Sequence, residues 1–244
     1  MDLKESAIAK KNHRHPWELA RTYFLINKII PHNTMKLLDV GSGDLFLLNS
    51  YLKTNPCSIT AIDKNFPELD RSNANIEMLY DFESLKKNYY DTITLFDVLE
   101  HVDNDQLLIC DLKTYLIKHG DLIISVPAYQ YLFSKHDQFL GHHRRYSKKD
   151  LTSKIKNNNL EIKQVFNFFF TLYIVRCFQK FFTNQLDRPA QTGLANWNYS
   201  ESHIITRLIF SFLVLDCFIC YYFSKLKIKL PGLSICLIAK KVKS

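Results

Sequence analysis

Glycine is scarce in this chain. There are six in 244 residues, where ordinary usage would give roughly seventeen. Two of the six stand one residue apart, Gly41-Ser42-Gly43, so that pair reads as a backbone requirement. Uninterrupted apolar runs of eighteen or more residues are also missing, which excludes a confident membrane span. The first residues lack the apolar core of a secretion signal, so a cytoplasmic location is expected. There is no internal repeat, low-complexity tract or Ser/Gly linker. Of the six cysteines, Cys217 and Cys220 have metal-ligand spacing, but no second pair or histidine follows at zinc-finger distance. The cysteines therefore read as buried thiols, and no metal is expected.

The net charge is +8. The cations are scattered rather than gathered on one face with interleaved aromatics, which argues against a nucleic-acid partner. A membrane surface or an anionic substrate suits the charge equally well. The length suits a single α/β domain. Strand-like and helix-like segments alternate from Glu18 to about residue 126, as a parallel sheet requires. The apolar run Leu37–Val40 reads as a buried parallel strand leading into the glycine pair. Asp39 places an acid at its C-terminal edge, where open α/β sheets bind ligands. The dinucleotide fingerprint needs a small residue at position 46, which is Phe46. No Lys-Ser/Thr pair follows, so a phosphate-binding P-loop is excluded. An acid at this position suits an ammonium group. A second strand, Ser58–Ile62, ends at Asp63, where ribose hydroxyls are held in doubly wound folds.

In this order the pieces resemble the class I S-adenosylmethionine-dependent methyltransferases. Leu38-Asp39-Val40-Gly41-Ser42-Gly43 matches the cofactor loop, and Ala61-Ile62-Asp63 matches the ribose acid. Met78–Phe82, with Asp81, is similar to the adenine-side segment. Tyr90–Val102, with Asp97, is similar to the fourth strand and the helix start after it. Gly120–Pro127 resembles the fifth strand. The resemblance covers about residues 12 to 170 plus a last strand near Ser234–Lys240. It implies a Rossmann-like, seven-stranded, mostly parallel sheet with helices on both faces, and S-adenosylmethionine as cofactor. One departure stands out: Leu45 occupies a position that is usually small. The segments His15–Arg21, Val126–Asp137 and Gly141-His142-His143-Arg144-Arg145-Tyr146 are similar to a bacterial branch associated with envelope, lipid-linked saccharide and natural-product pathways.

Family members join the sixth strand (here Glu161–Phe166) to the seventh tightly. This chain instead inserts residues 167–233 between a core of residues 1–166 and 234–244. Phe168–Phe182 and Ile204–Phe223 are too apolar to be left in water, so the insertion is a helical cap or a monotopic membrane anchor. Lys225, Lys227 and Lys229 alternate with Leu226, Ile228 and Leu230, a strand-like pattern that also suits anionic lipid heads.

The expected cofactor-binding residues are Asp39, Gly41, Gly43, Asp63, Asp81 and Asp97; for Asp81, capping a turn is an equal alternative. Residues 128–146 read as a long loop on the substrate side. Arg144, Arg145 and Tyr146 are the candidates for binding the acceptor. His142 or His143, and then His136, are the candidates for a general base if the acceptor is a hydroxyl. The expected acceptor is a small molecule, amphipathic or lipid- or saccharide-linked, with peripheral contact to the inner membrane face. The alternatives are an inactive methyltransferase-like partner subunit, for which Leu45 is the main support, and a membrane-surface adaptor.

Overall fold

The computed structural model describes residues 13–64, 75–183, 197 and 199–242. The polar start of the chain and residues 184–196 of the insertion lie outside the described residues. Seven strands form one sheet: β1 (Lys36–Val40), β2 (Ser58–Ile62), β3 (Ile76–Leu79), β4 (Tyr90–Phe96), β5 (Leu116–Pro127), β6 (Leu160–Phe168) and β7 (Ser234–Lys241). Their spatial order is β3-β2-β1-β4-β5-β7-β6. β1 to β5 run parallel to one another, and β7 is antiparallel to both β5 and β6. The strand order reverses between β1 and β4, which opens a crevice at their C-terminal ends.

Parallel strands covered on both faces must be apolar almost throughout, and β1 and β4 are buried along most of their length. The two-residue period sends alternate side chains to opposite faces. In β5, Leu122 and Ile124 face a core shared with α3 (Asp105–Tyr115) and α5 (Lys148–Asn157), through Ile109, Leu112, Leu151 and Ile155. Ile123 faces the other way. It meets α1 (Pro16–Phe24) and α7 (Ile204–Lys225) through Ala20, Phe24, Leu213 and Cys217. α2 (Phe46–Leu52) completes that second layer with Leu48 and Tyr51.

Local chemistry sets the helix ends. Pro16 opens α1, and the His15 ring Nδ1 accepts the Trp17 N–H at 3.1 Å. At the start of α5 the Ser147 hydroxyl accepts the Asp150 N–H, and the Asp150 carboxylate accepts the Ser147 N–H.

Both apolar stretches of the insertion are helical. They form α6 (Phe170–Phe178), prolonged by wider turns to Thr183, and α7. β6 runs on to Phe168, two residues past the expected end. The lysine alternation after α7 forms no strand. The helix continues to Lys225, Lys227 takes a left-handed φ of 61°, and the few residues left turn back towards β7. That return is tight. A Cβ on Gly232 would lie 2.3 Å from the Phe168 carbonyl oxygen, so only glycine fits there.

Candidate active site

The turn after β1 needs its glycines. Gly41 and Gly43 have φ of +76° and +58°, and a Cβ on Gly41 would sit 2.4 Å from Val98 Cγ2. The Gly41 N–H donates to the Ile62 carbonyl at 2.7 Å, and the Gly43 N–H donates to Asp63 Oδ2 at 2.9 Å. Asp63, at the tip of β2, therefore braces the loop that ends β1. Leu45 also adopts a left-handed φ, of 62°. That conformation costs a non-glycine residue about 1–2 kcal/mol. Burial of the side chain beside Leu48, Tyr51 and Ile59 is worth about as much or more. Leu45 thus turns into the core beneath α2, where it packs as a hydrophobic side chain. The physical support for an inactive, closed loop disappears with it.

Acids and one buried arginine gather at the strand ends. Asp39 is 5% exposed and accepts the Thr94 hydroxyl at 2.5 Å. Burial raises its pKa to about 6, against the opposing hydrogen bonds from Thr94 and Ser42 and the charge of Arg21. Asp97, at the end of β4, takes a φ of +58°, which aspartate tolerates better than most residues. Its carboxylate meets Arg21 Nη2 at 2.7 Å and accepts the Ser125 hydroxyl at 3.2 Å. Arg21 also donates to Ser125 Oγ at 3.1 Å. Just before α1, Arg14 pairs with both Glu18 and Asp44 and stacks over the Phe46 ring. Asp81 is exposed after β3 and accepts the Glu83 N–H at 3.0 Å, so it caps a turn there.

Glu18 and Arg21 escaped the sequence reading as site residues. A polar helix face is ordinary, and nothing in the spacing shows that both side chains end up buried. Glu18 Oε2 and Arg21 Nε are buried without a hydrogen-bond partner. An orphaned acceptor and an orphaned donor fit the ammonium and carboxylate of an amino-acid moiety. Together with the Gly41 cradle and the Asp63 carboxylate, this donor set fits S-adenosylmethionine.

The loop after β5 is closed at its base. The Tyr146 N–H donates to the Pro127 carbonyl, and the Tyr129 N–H donates to the Tyr146 carbonyl. Its internal hub is Asp137, fully buried in the first turn of α4 (Lys135–Leu140). Asp137 accepts Ser134 N–H and Oγ–H, Arg145 Nε at 2.8 Å and Nη2 at 3.1 Å, and it lies 3.0 Å from His142 Nδ1. Burial alone would raise its pKa. The His142 hydrogen bond and the Arg145 charge outweigh burial and hold the carboxyl well below the usual carboxylate range.

The structure separates the three histidines. The partly buried His142 ring packs edge-on against His101, with centroids 4.7 Å apart. His143 is exposed, with Nδ1 3.1 Å from the exposed Asp103. His136 is half-buried on the first turn of α4. Beneath His142 lies Glu100, fully buried with neither carboxylate oxygen hydrogen-bonded. Burial first, and Asp97 second, push its pKa well above the ordinary value. Glu100, His101 and His142 bring one ligand atom each within 4.8 Å of one another, a set of the size that can hold a cation. The sequence reading expected no metal, and the spacing hid this grouping because His142 comes from a distant loop.

Arg144, Arg145 and Tyr146 are occupied within the fold. Arg145 holds Asp137 and the Ala128 carbonyl. The buried Tyr146 hydroxyl donates to Asp105 Oδ2 at 2.8 Å and the Leu99 carbonyl at 3.0 Å. Arg144 reaches Asp105 at 3.2 Å and the Asp103 carbonyl at 3.1 Å. All three line a polar cleft of about 360 Å³ with Gln106, Ser153 and Lys154, and none of the cofactor-loop residues lines it. Arg145→Ala therefore leaves a buried carboxylate uncompensated, and a stability loss of about 3–5 kcal/mol is expected. Arg144→Ala should cost less than about 1 kcal/mol, since Asp105 keeps Lys154 and Tyr146. Urea titration of both variants checks the difference, and equal losses would refute it.

A methyltransferase domain family model matches residues 12–165, more than half of the chain. The chain is 30% identical over 118 residues to a ubiquinone biosynthesis O-methyltransferase of Rickettsia canadensis, covering 43% of this chain and 50% of that one. It thus spans about half the length of the curated relative it matches. Among solved structures, an S-adenosylmethionine-dependent methyltransferase of Archaeoglobus fulgidus superposes with a TM-score of 0.54 at 15% identity, covering 92% of this chain and 94% of that one. Phosphoethanolamine N-methyltransferase 2 of Haemonchus contortus, in complex with S-adenosyl-L-methionine, superposes with a TM-score of 0.57 at 12% identity, covering 93% and 52%. At those identities the superpositions establish the fold, and the family match supplies the rest: this chain belongs to the methyltransferase domain family.

Proposed function

We propose that this enzyme methylates a hydroxyl group on a small amphipathic acceptor of the lipid- or saccharide-linked class. The observation that carries the reading is the pair formed by His142 and the buried Asp137. An ionised Asp137 accepts from Nδ1, which leaves the Nε2 lone pair of a neutral imidazole available as a base. The curated relative's name, an O-methyltransferase, supports oxygen as the atom methylated.

Bound S-adenosylmethionine supplies a methyl group on a positively charged sulfonium. The chain's own residues do the rest. Asp39, Glu18 and Arg21 hold the charged amino-acid end, and Asp63 with the Gly41–Gly43 turn holds the ribose side. His142 Nε2 would take the proton from the acceptor hydroxyl. Asp137 stabilises the imidazolium that results. Arg144, Arg145 and Tyr146 act indirectly, by fixing the loop that carries His142. Asp81 and Asp97 serve at the rim of the cofactor crevice, Asp97 through its pair with Arg21.

Asp39 makes cofactor binding pH-dependent. Its pKa in the free protein is raised to about 6, so below that pH a cationic ligand must displace a proton on binding. Affinity for S-adenosylhomocysteine should rise with pH, by up to about tenfold per unit, and level off above about pH 6. Calorimetry from pH 5 to 8 measures this, and Asp39→Asn should flatten the low-pH slope. A slope that persists unchanged in the Asn variant would remove Asp39 from the site.

His142→Gln should lower methyl transfer by about 10²–10⁴-fold, with cofactor affinity within a factor of about two. His143→Gln should leave both nearly unchanged. The readout is transfer of labelled methyl into a whole-cell extract of lipids and metabolites, followed by fractionation. Equal losses in the two variants would assign the base elsewhere.

A further inference from the structure

α7 has two contrasting faces. Thr206, Leu213, Asp216, Cys217, Cys220 and Tyr221 are buried, and the helix packs along α1 and β6. On the opposite side Ile204, Leu208, Phe212, Leu215, Ile219 and Tyr222 are exposed, with Leu226 just beyond the helix. These positions recur every three or four residues, so they form one continuous stripe down the helix. Twenty-two residues give a stripe about 33 Å long. α6 and its extension add Ile174, Val175, Phe178, Phe181 and Phe182, all exposed. A surface of this kind marks an interaction site.

Charge identifies the occupant. Residues 170–183 and 204–229 carry six cations, Arg176, Lys180, Arg207, Lys225, Lys227 and Lys229, against one acid, Asp216. Asp216 is buried, with its carboxylate directed at the Thr171 N–H. The exposed cations lie at the two ends of the stripe: Arg207 near its start, and Lys225, Lys227 and Lys229 beyond its end. A second copy of the chain would fit this poorly. Antiparallel packing sets Arg207 against the lysines, parallel packing sets like against like, and the stripe offers no acid in either case. A surface that is apolar within and anionic at its edge satisfies both halves of the pattern.

We propose that the α6–α7 face docks on an anionic lipid bilayer, with α7 lying in the plane of the interface. α7 has the hydropathy of a membrane span, but its inner face is part of the protein core and holds it on the sheet. The lysine stems lie along the acyl boundary with their ammonium groups at the lipid phosphates. The site loop is tied to the same face. The Tyr129 ring lies 5.2 Å from that of Tyr173, the Tyr131 hydroxyl donates to the Tyr173 hydroxyl at 2.8 Å, and Lys180 donates to the Tyr131 carbonyl. Docking therefore places the His142 loop beside the bilayer. The proposal rests on this face alone and stands whichever atom the enzyme methylates.

The test is flotation of the full chain with vesicles of phosphatidylcholine alone, and with equal parts of phosphatidylcholine and phosphatidylglycerol. Binding is expected only to the mixed vesicles and should weaken with added salt. The triple variant Lys225→Gln, Lys227→Gln, Lys229→Gln should bind on the order of a hundredfold more weakly. Phe212→Ser with Leu215→Ser should reduce binding at least about tenfold. Both residues are exposed, so both variants should keep the parent's melting temperature and cofactor affinity. Failure of the parent to float, or equal binding to both vesicles, overturns the proposal. So does a concentration-dependent dimer that Phe212→Ser abolishes while flotation is unaffected, because the face would then belong to a second copy.

Discussion

Arg21 is the charge on which the site depends. It leaves α1 for the C-terminal edge of the sheet, is 5% exposed, and ends between Asp97 and Ser125. A guanidinium removed from water must be paired, and the edge supplies acids in excess. Its field reaches Asp39 and Glu100, where it opposes the rise that burial causes. The same contact fastens α1 to the C-terminal ends of β4 and β5. Fold and candidate site therefore share one interaction: Arg21 ties the helix to an acid at the edge where the sheet order reverses.

A second buried charge organises the acceptor side. Asp137 opens α4, accepts two groups from Ser134, and joins Arg145 to His142. Arg145 holds that carboxylate inside the loop, while Arg144 and Tyr146 hold Asp105. The loop is consequently stiff at its centre, and His142 gains a fixed orientation. Glu100, beside it, is kept towards its neutral form by burial and by Asp97.

Much of this was legible in the chain. The glycine pair, the strand-end acids and the alternation of apolar runs gave the sheet and its crevice, because those patterns are local and each has one cheap structural solution. Asp39 and Asp63 stand where the pattern placed them. Leu45 was misleading, since a left-handed leucine is readable only once its side chain is seen to be buried. Glu18, Arg21 and Glu100 were hidden because burial of a charge is decided by tertiary partners far away in sequence. The internal partners of Arg145 and Tyr146 were hidden for the same reason: a polar cluster in a loop looks alike whether it faces solvent or a buried aspartate. The lysine alternation after α7 has a strand's period, but α7 itself uses up the length a strand would need.

If Arg21 fixes the cofactor end of the crevice, its removal must weaken cofactor binding. The direct measurement is the calorimetric affinity of Arg21→Met for S-adenosylmethionine at pH 7.5, on protein verified as folded. A loss of at least about tenfold is expected, since one good charged contact is worth about 1.5–3 kcal/mol. An affinity equal to that of the parent would contradict it and leave Arg21 as a fastening of the helix alone.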